Sequence, residues 1–332
     1  MKKAGNIRIL IYTAAFPVLL LSLLIGPSEN ISLHDGVQWL LNMISGNDTD
    51  TFIQTIILQV RLPRVLTAFL VGGALSISGN SLQAIFRNPL VSPYILGLSN
   101  GAAFGAALAL ATGLLPLQLS AFIFGLIAVI ISYLAARKHK EVSIVSLILS
   151  GIIVTGIFTA LLTIVQFLSD PFKLQSIVHW TMGNLQNSGW QSLTSMLIPL
   201  FAGVILLLSM RWKMNVYALG DEEAKTSGLN PEWGKILILI AASLASSSAV
   251  AVAGVIGLYG LIVPHIVRML SGPDNLHSTP LNFVFGGTFL LIIDDFSRTI
   301  SSFEIPIGVI TMLLGAPFFL FLMKKNKIGW EN

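Results

Sequence analysis

The sequence predicts an all-α, polytopic membrane protein, and three observations carry that prediction. Of its 332 residues, 54% are hydrophobic and only 10% charged, where ordinary soluble domains carry about a quarter charged. Apolar runs of roughly 18 residues or more recur along the whole length, the signature of transmembrane helices. Those runs lack the every-second-residue alternation of barrel strands, and lipid leaves only helices or closed barrels able to satisfy the backbone. The chain reads as one transmembrane domain over 1–332, with about ten spanning helices and no sizeable soluble domain.

Taken in order, the expected spans are about 7–26, 65–86, 95–114, 116–136, 144–168, 193–210, 235–252, 255–270, 281–297 and 305–323. The first follows a basic start, "MKKAGNIRIL", as a signal peptide would. Its apolar run is long, however, and "LLIGPSEN" offers no small-residue cleavage site, so an uncleaved span is expected. Stretch 95–136 carries no charge but is about twice the length of one span; Gly113 and Pro116 mark the break. Stretch 236–270 is also too long for one helix, and Gly254, Gly257 and Gly260 permit a turn there. The longest outer loop is 27–60. Within it, "SLHDGVQWLLNMI" has the amphipathic pattern of a short interfacial helix, with Trp39 at headgroup level.

Basic residues collect on the cytoplasmic side of membrane proteins, and this tests the count. With the N-terminus inside, Lys2, Lys3, Arg8, Arg87, Arg137, Lys138, Lys140, Arg211, Lys213, Lys225, Lys235, Arg268, Lys324, Lys325 and Lys327 all fall inside. Only Arg61, Arg64, Lys173 and Arg298 fall outside, among loops made acidic by Glu29, Asp35, Asp48, Asp50 and Asp170. Ten spans with both termini cytoplasmic follow; a single helix over 236–270 would put the tail "KKNK" outside. The net charge of +4 is this asymmetry, not a nucleic-acid surface. Arg61 and Arg64 in "VRLPRVLTAF" are the sharpest exceptions, with Pro63 between them expected in the first turn of span two.

Several chemistries are excluded. There is no cysteine, so no disulfide, thiolate or iron–sulfur site, and the five histidines (His34, His139, His179, His265, His277) have no metal-ligand spacing. No phosphate loop is present, so nucleotide energy, if used, comes from another chain. "GLSNG" at 97–101 fits the nucleophile-elbow pattern, but both flanks are apolar helix; Gly97, Gly101 and Gly105 more simply let helices approach. No span holds a mid-membrane carboxylate, which weighs against a proton-coupled secondary transporter, and no His, Asp and Ser cluster suggests a lipid-modifying enzyme. Asp294 and Asp295 lie one turn from Arg298, at pairing distance. His265 and Arg268 in "VPHIVR" fit a functional pair or a helix end with a snorkelling arginine.

The longest polar break, "YALGDEEAKTSGLNPEWGK" at 217–235, reads as two short cytoplasmic helices. Asp221, Glu222 and Glu223 suit a first turn, where carboxylates favour the dipole. Gly228 is a stop, Asn230 an N-cap and Pro231 the first helical position. Such a capped pair fits a docking element or a solvated connector.

The motifs "RLPR" (61–64), "GGALSISGNSLQAIFRNPLVSPYILGLSNGA" (72–102), "WTMGNL" (180–185), "LGDEEAKTSGL" (219–229), "GLYGLIVPHIVRMLSGPDN" (257–275) and "IPIGVITMLLGAPFFLFLMKK" (305–325) run through the whole chain. In them the chain resembles the permeases of the iron-siderophore, haem and cobalamin ABC importers. The resemblance implies a ten-helix, cobalamin-permease-like bundle in a bacterial plasma membrane, with spans two to five and seven to ten as inverted repeats. It implies a second permease subunit (a copy or a sister), two cytosolic ATPase subunits that bind the ATP and magnesium, and an extracytoplasmic binding protein. The permease itself is then neither an enzyme nor a cofactor carrier. The cargo is a metal chelate, ferric siderophore foremost, with haem, cobalamin or an oxyanion behind it. Residue by residue, the resemblance assigns binding-protein docking to Arg61, Arg64 and Arg298. It assigns ATPase coupling to Gly220, Asp221, Glu222, Glu223, Ala224, Thr226 and Gly228. It lines the path largely with spans five and ten, where Ser150, Gly151, Thr155 and Gly156 form a small polar strip that ordinary helix packing explains equally well. Asp295 stands where a small or Thr-like residue is usual, and Val91 where alanine is common.

Overall fold

The computed structural model describes residues 2–26, 32–46, 50–138, 141–301 and 303–325; Glu29, Asp48, His139, Lys140 and Lys327 lie outside them. The described chain is helical apart from connecting turns and one hairpin of two-residue strands that pairs Arg137 with Val142. Its helices are α1 (Lys2–Leu24), α2 (Leu33–Ser45), α3 (Thr51–Thr55), α4 (Leu62–Phe86), α5 (Leu98–Thr112), α6 (Leu117–Ala136) and α7 (Ile144–Leu168). They continue with α8 (Pro171–Thr181), α9 (Trp190–Leu219), α10 (Asp221–Thr226), α11 (Pro231–Ala253), α12 (Tyr259–Ser271), α13 (Asn275–Thr299) and α14 (Ile307–Lys325). Among the described residues, seven helical segments are long and apolar enough to cross a membrane: α1, the run Thr51–Phe86, α6, α7, α9, α11 and α13. The shorter α5, α12 and α14 stand where spans three, eight and ten are expected.

α4 is the axis of the bundle. It packs against α13, α11, α9 and α12 and is buried along almost its whole length, so it presents no solvent-facing stripe. Two devices let neighbours close on it. Gly79 meets the Gly260 carbonyl so closely that a Cβ would run into it. A polar ladder joins α4 to α13: Ser76 Oγ donates to Asn282 (2.8 Å), and Asn80 Nδ2 to Asn275 (3.1 Å) and Thr279 (3.3 Å). Without a hydrophobic drive between helices in lipid, close backbone approach and interhelical hydrogen bonds hold such an interface. α5, α6 and α7 pack on one another, and α11 bridges them to α4.

The start of span two differs from expectation. The helix does not begin at Pro63; it runs in from Thr51, through a π-helical turn at Ile56–Arg61. Proline lacks an N–H and clashes with the carbonyl four residues back, and widening the preceding turn relieves the clash. The Leu62 N–H reaches back to Ile57. That leaves the Leu58 carbonyl without a backbone donor, and the Trp190 indole N–H supplies one at 3.0 Å.

α2 is the expected short helix of the first outer loop. Ser32 and Asp35 form a reciprocal capping box, and the hydrogen bonds from Ser32 hold the Asp35 carboxyl below its ordinary range. Trp39 is buried against the bundle rather than set at a free surface, while Leu41, Met43 and Ile44 are exposed.

Candidate functional site

The two ends of the bundle carry different chemistry. At one end, α9 leads through Gly220, whose φ of 151° only glycine adopts readily, into α10. Ala224 is buried beneath α10, and Lys235 grips Asp221 with two bonds of 2.6 and 2.7 Å. Gly228 (φ 76°) turns the chain, and Asn230 caps α11 by accepting from the Trp233 N–H. Of the seven residues expected to couple to an ATPase, Asp221, Ala224, Gly220 and Gly228 therefore hold the element in place. Glu222, Glu223 and Thr226 present their side chains to solvent. Arg8 of α1, bonded to the Ser271 carbonyl at 2.8 Å, places the start of α1 at the end of α12.

At the opposite end the expected docking arginines lie inside the fold. Arg61, Arg64 and Arg298 are only 3%, 8% and 1% exposed. Arg64 lays its fork on Asp294, from Nε at 3.1 Å and Nη2 at 2.7 Å, and gives Nη1 to Glu304 at 2.8 Å. Arg298 bonds Asp295, one turn back on α13, and donates to the Ser22 carbonyl at 2.7 Å. Arg61 donates to the Leu24 carbonyl at 2.6 Å, and Gly26 packs flat on its guanidinium. Ser22, Leu23 and Leu24 are the last turn of α1, whose carbonyls have no helical donors and carry the negative end of the dipole. Two arginines thus cap one helix, and the third ties α4 to α13 and to the segment before α14. The pairing expected between Arg298 and the adjacent carboxylates is present; outward presentation of the three is not. Glu304, its side chain about 20% exposed, is the member of this network nearest to solvent.

The residues expected on a path divide likewise. Ser150 is buried and donates to the Ser132 carbonyl at 2.7 Å, and Gly151 abuts the Ile95 carbonyl. Ser150 packs α7 on α6, and Gly151 packs it on the turn before α5. Thr155 is half-buried. The open side of α7 instead carries Gly156, Thr159 and Thr163 among large exposed apolar side chains such as Ile152 and Ile164. Asn100 of α5 donates to Thr159 Oγ1 at 2.7 Å on that exposed side. Sequence reasoning missed this pair; the Thr159–Thr163 spacing of four was its only signal. Among the described residues no group of three or more His, Asp or Glu could hold a metal ion.

A polytopic bundle with a rigidly seated helix at one end and a closed charge network at the other is the frame of a transport permease. The chain belongs to the FecCD transport family, whose model matches residues 13–325. It is 40% identical over 288 residues to the molybdate import system permease protein MolB of Haemophilus influenzae, covering 86% of each chain. It is 37% identical over 313 residues to a probable iron chelatin transport system permease protein of Helicobacter pylori, covering 93% of this chain and 96% of that one. Further relatives carry the names of hemin and vitamin B12 import permeases. A solved inward-facing conformation of a metal-chelate type ABC transporter superposes with a TM-score of 0.85 at 35% identity, over 97% of this chain and 100% of that one. The protein is an integral, multi-pass inner-membrane permease of an ABC importer, and ATP hydrolysis belongs to a separate subunit.

Proposed function

We propose that this permease moves a metal chelate into the cytoplasm, ferric siderophore foremost, with haem and cobalamin as alternatives of the same class. In this reading ten spans place both termini in the cytoplasm. Two permease subunits, copies or sisters, meet along the exposed faces of α7 and α14, and two ATPase subunits beneath them bind the ATP and magnesium. No cofactor resides in this chain. An extracytoplasmic binding protein delivers cargo at the end that holds Arg61, Arg64 and Arg298, and Glu304 is the group it displaces to reach Arg64.

One observation carries the choice of cargo. The open face of α7 is apolar and hydroxyl-bearing, with Asn100, Thr159 and Thr163 as its polar groups, and α7 has no charged residue. A small oxyanion stripped of water calls for charged or converging donors. A bulky chelate, its charge screened by its own ligand, needs a wide neutral wall. The test is uptake into proteoliposomes holding the full importer, with ferric siderophore, haem, cobalamin and molybdate offered singly. Chelate uptake driven by ATP is the expected result; accumulation of molybdate with none of the chelates would overturn the reading.

A further inference from the structure

The buried arginines at the outer end are all neutralised, two by carboxylates and Arg61 by helix carbonyls. Arg268 is not. It stands in the last turn of α12, with most of its surface covered, and among the described residues its one hydrogen-bond partner is the side-chain oxygen of Gln83 on α4. That oxygen is fixed toward it because the other half of the Gln83 amide donates to the Gly260 carbonyl at 3.2 Å. A neutral amide orients a guanidinium but does not cancel its charge, and a largely covered cation calls for an anion. The proximity of a helix C-terminus favours a cation, yet that alone leaves the remaining fork donors of Arg268 unused.

A second group points to the same place. His265 lies three residues before Arg268, on the same face of α12, and its Nε2 is buried without a hydrogen-bond partner. An imidazole in its Nε2–H tautomer and a guanidinium fork with one bonded partner, three residues apart on one helix face, are complementary to an oxyanion with two or more oxygens. The position is the α10 end of the bundle: α4 ends there, and the Arg87 guanidinium, one residue past it, lies beside Gly220. Met269 and Leu270, next in the chain, are exposed apolar side chains. An anion carrying acyl chains would find both halves of its chemistry there.

We propose that His265 and Arg268 of α12, oriented by Gln83 of α4, form a binding site for a phosphate-class oxyanion at the α10 end of the bundle. The exposed Met269 and Leu270 favour the phosphodiester of a membrane lipid as its source, and free phosphate shares the chemistry. The site is separate from the proposed path and from the α10 surface, and it does not depend on the identity of the cargo.

The experiment uses the full chain in nanodiscs of phosphatidylcholine, with and without phosphatidylglycerol, examined by native mass spectrometry, and in parallel in detergent titrated with inorganic phosphate. The wild type is expected to retain phosphatidylglycerol over phosphatidylcholine. Loss of a charge-assisted bond makes Arg268→Gln weaker by about tenfold or more. Arg268→Lys, which keeps the charge and loses the fork, and His265→Phe should fall between the two. Their thermal midpoints verify that each variant is folded. Binding of inorganic phosphate with no lipid preference, lost in Arg268→Gln, upholds the oxyanion site and assigns it to a soluble ion. Equal lipid and phosphate binding by wild type and a folded Arg268→Gln or Arg268→Lys, or no binding by the wild type, overturns the proposal.

Discussion

Replacing Asp294 by alanine is the sharpest test of the charge network around Arg64. Asp294 is fully buried, accepts both ends of the Arg64 fork at 3.1 and 2.7 Å, and lies 3.7 Å from Arg298 Nε. Its loss leaves Arg64 with Glu304 alone and Arg298 with Asp295 alone. Removing one partner of a buried ion pair typically costs about 3–5 kcal/mol, chiefly through the uncompensated charge left behind. The surviving partners lower this toward the bottom of the range, so about 3 kcal/mol is expected. Glu304→Gln touches the less buried partner and keeps an acceptor oxygen, so it should cost less, about 1–2 kcal/mol. Replacing both members, Arg64→Met with Asp294→Leu, removes the charge problem along with the bond. The double variant should then be less destabilised than the two singles summed, with a coupling of roughly 1–3 kcal/mol. Equilibrium unfolding in mixed micelles, followed by tryptophan fluorescence, measures the wild type, Asp294→Ala, Glu304→Gln, the singles Arg64→Met and Asp294→Leu, and the double variant. A cost below about 1 kcal/mol for Asp294→Ala, or strict additivity in the double variant, would refute the reasoning.

Two further outcomes follow from the geometry. Glu222→Ala with Glu223→Ala should weaken co-purification of the ATPase while leaving the thermal midpoint unchanged, because both side chains face solvent. Asp221→Ala should instead lower that midpoint, since it releases Lys235; unchanged ATPase association in the Glu222/Glu223 variant argues against that surface. Gly79→Ala drives a Cβ into the Gly260 carbonyl and should cost about 1–3 kcal/mol of overpacking strain, read by the same unfolding assay; a neutral result would mean that α4 and α12 can part without loss.

The spans were legible because hydropathy is a one-dimensional property. α7 occupies the expected 144–168, and the Gly113–Pro116 break and Gly254 and Gly257 fall between helices, while Gly260 stands inside the first turn of α12. α9 outruns its expected 193–210 at the polar end, since a helix continues past the membrane when Arg211 and Lys213 can still be solvated. What escaped the sequence was pairing across long separations. The bond between Asn100 and Thr159 spans 59 residues and that between Arg64 and Asp294 spans 230, and no local pattern announces either. Ser150 and Gly151 looked like a path because small polar residues serve packing and lining equally, and only the position of the neighbouring Ser132 and Ile95 carbonyls decides. The π-helical turn was hidden for another reason. Pro63 announces a defect in the backbone ladder, but whether the chain breaks or widens depends on Trp190, more than a hundred residues away, reaching the orphaned Leu58 carbonyl.

The four cations that broke the charge rule have one explanation. Arg61 and Arg298 donate to the last carbonyls of α1, Lys173 donates to the Ala111 carbonyl in the last turn of α5 at 2.7 Å, and Arg64 sits between two carboxylates. The positive-inside rule describes charges left free to respond to the membrane's asymmetry. A cation whose charge is answered by a helix C-terminus or a carboxylate presents little net field and escapes it. The exceptions therefore mark where helix ends are tied together, in this chain α1 to α4 and α13, and α5 to α8. Delivery of cargo at this end would then act on these ties rather than on free arginines. If docking proceeds as proposed, Arg64 would be the arginine a partner's carboxylate reaches by exchange, because Glu304 is its partner nearer to solvent and its Asp294 bonds would hold the fork in place.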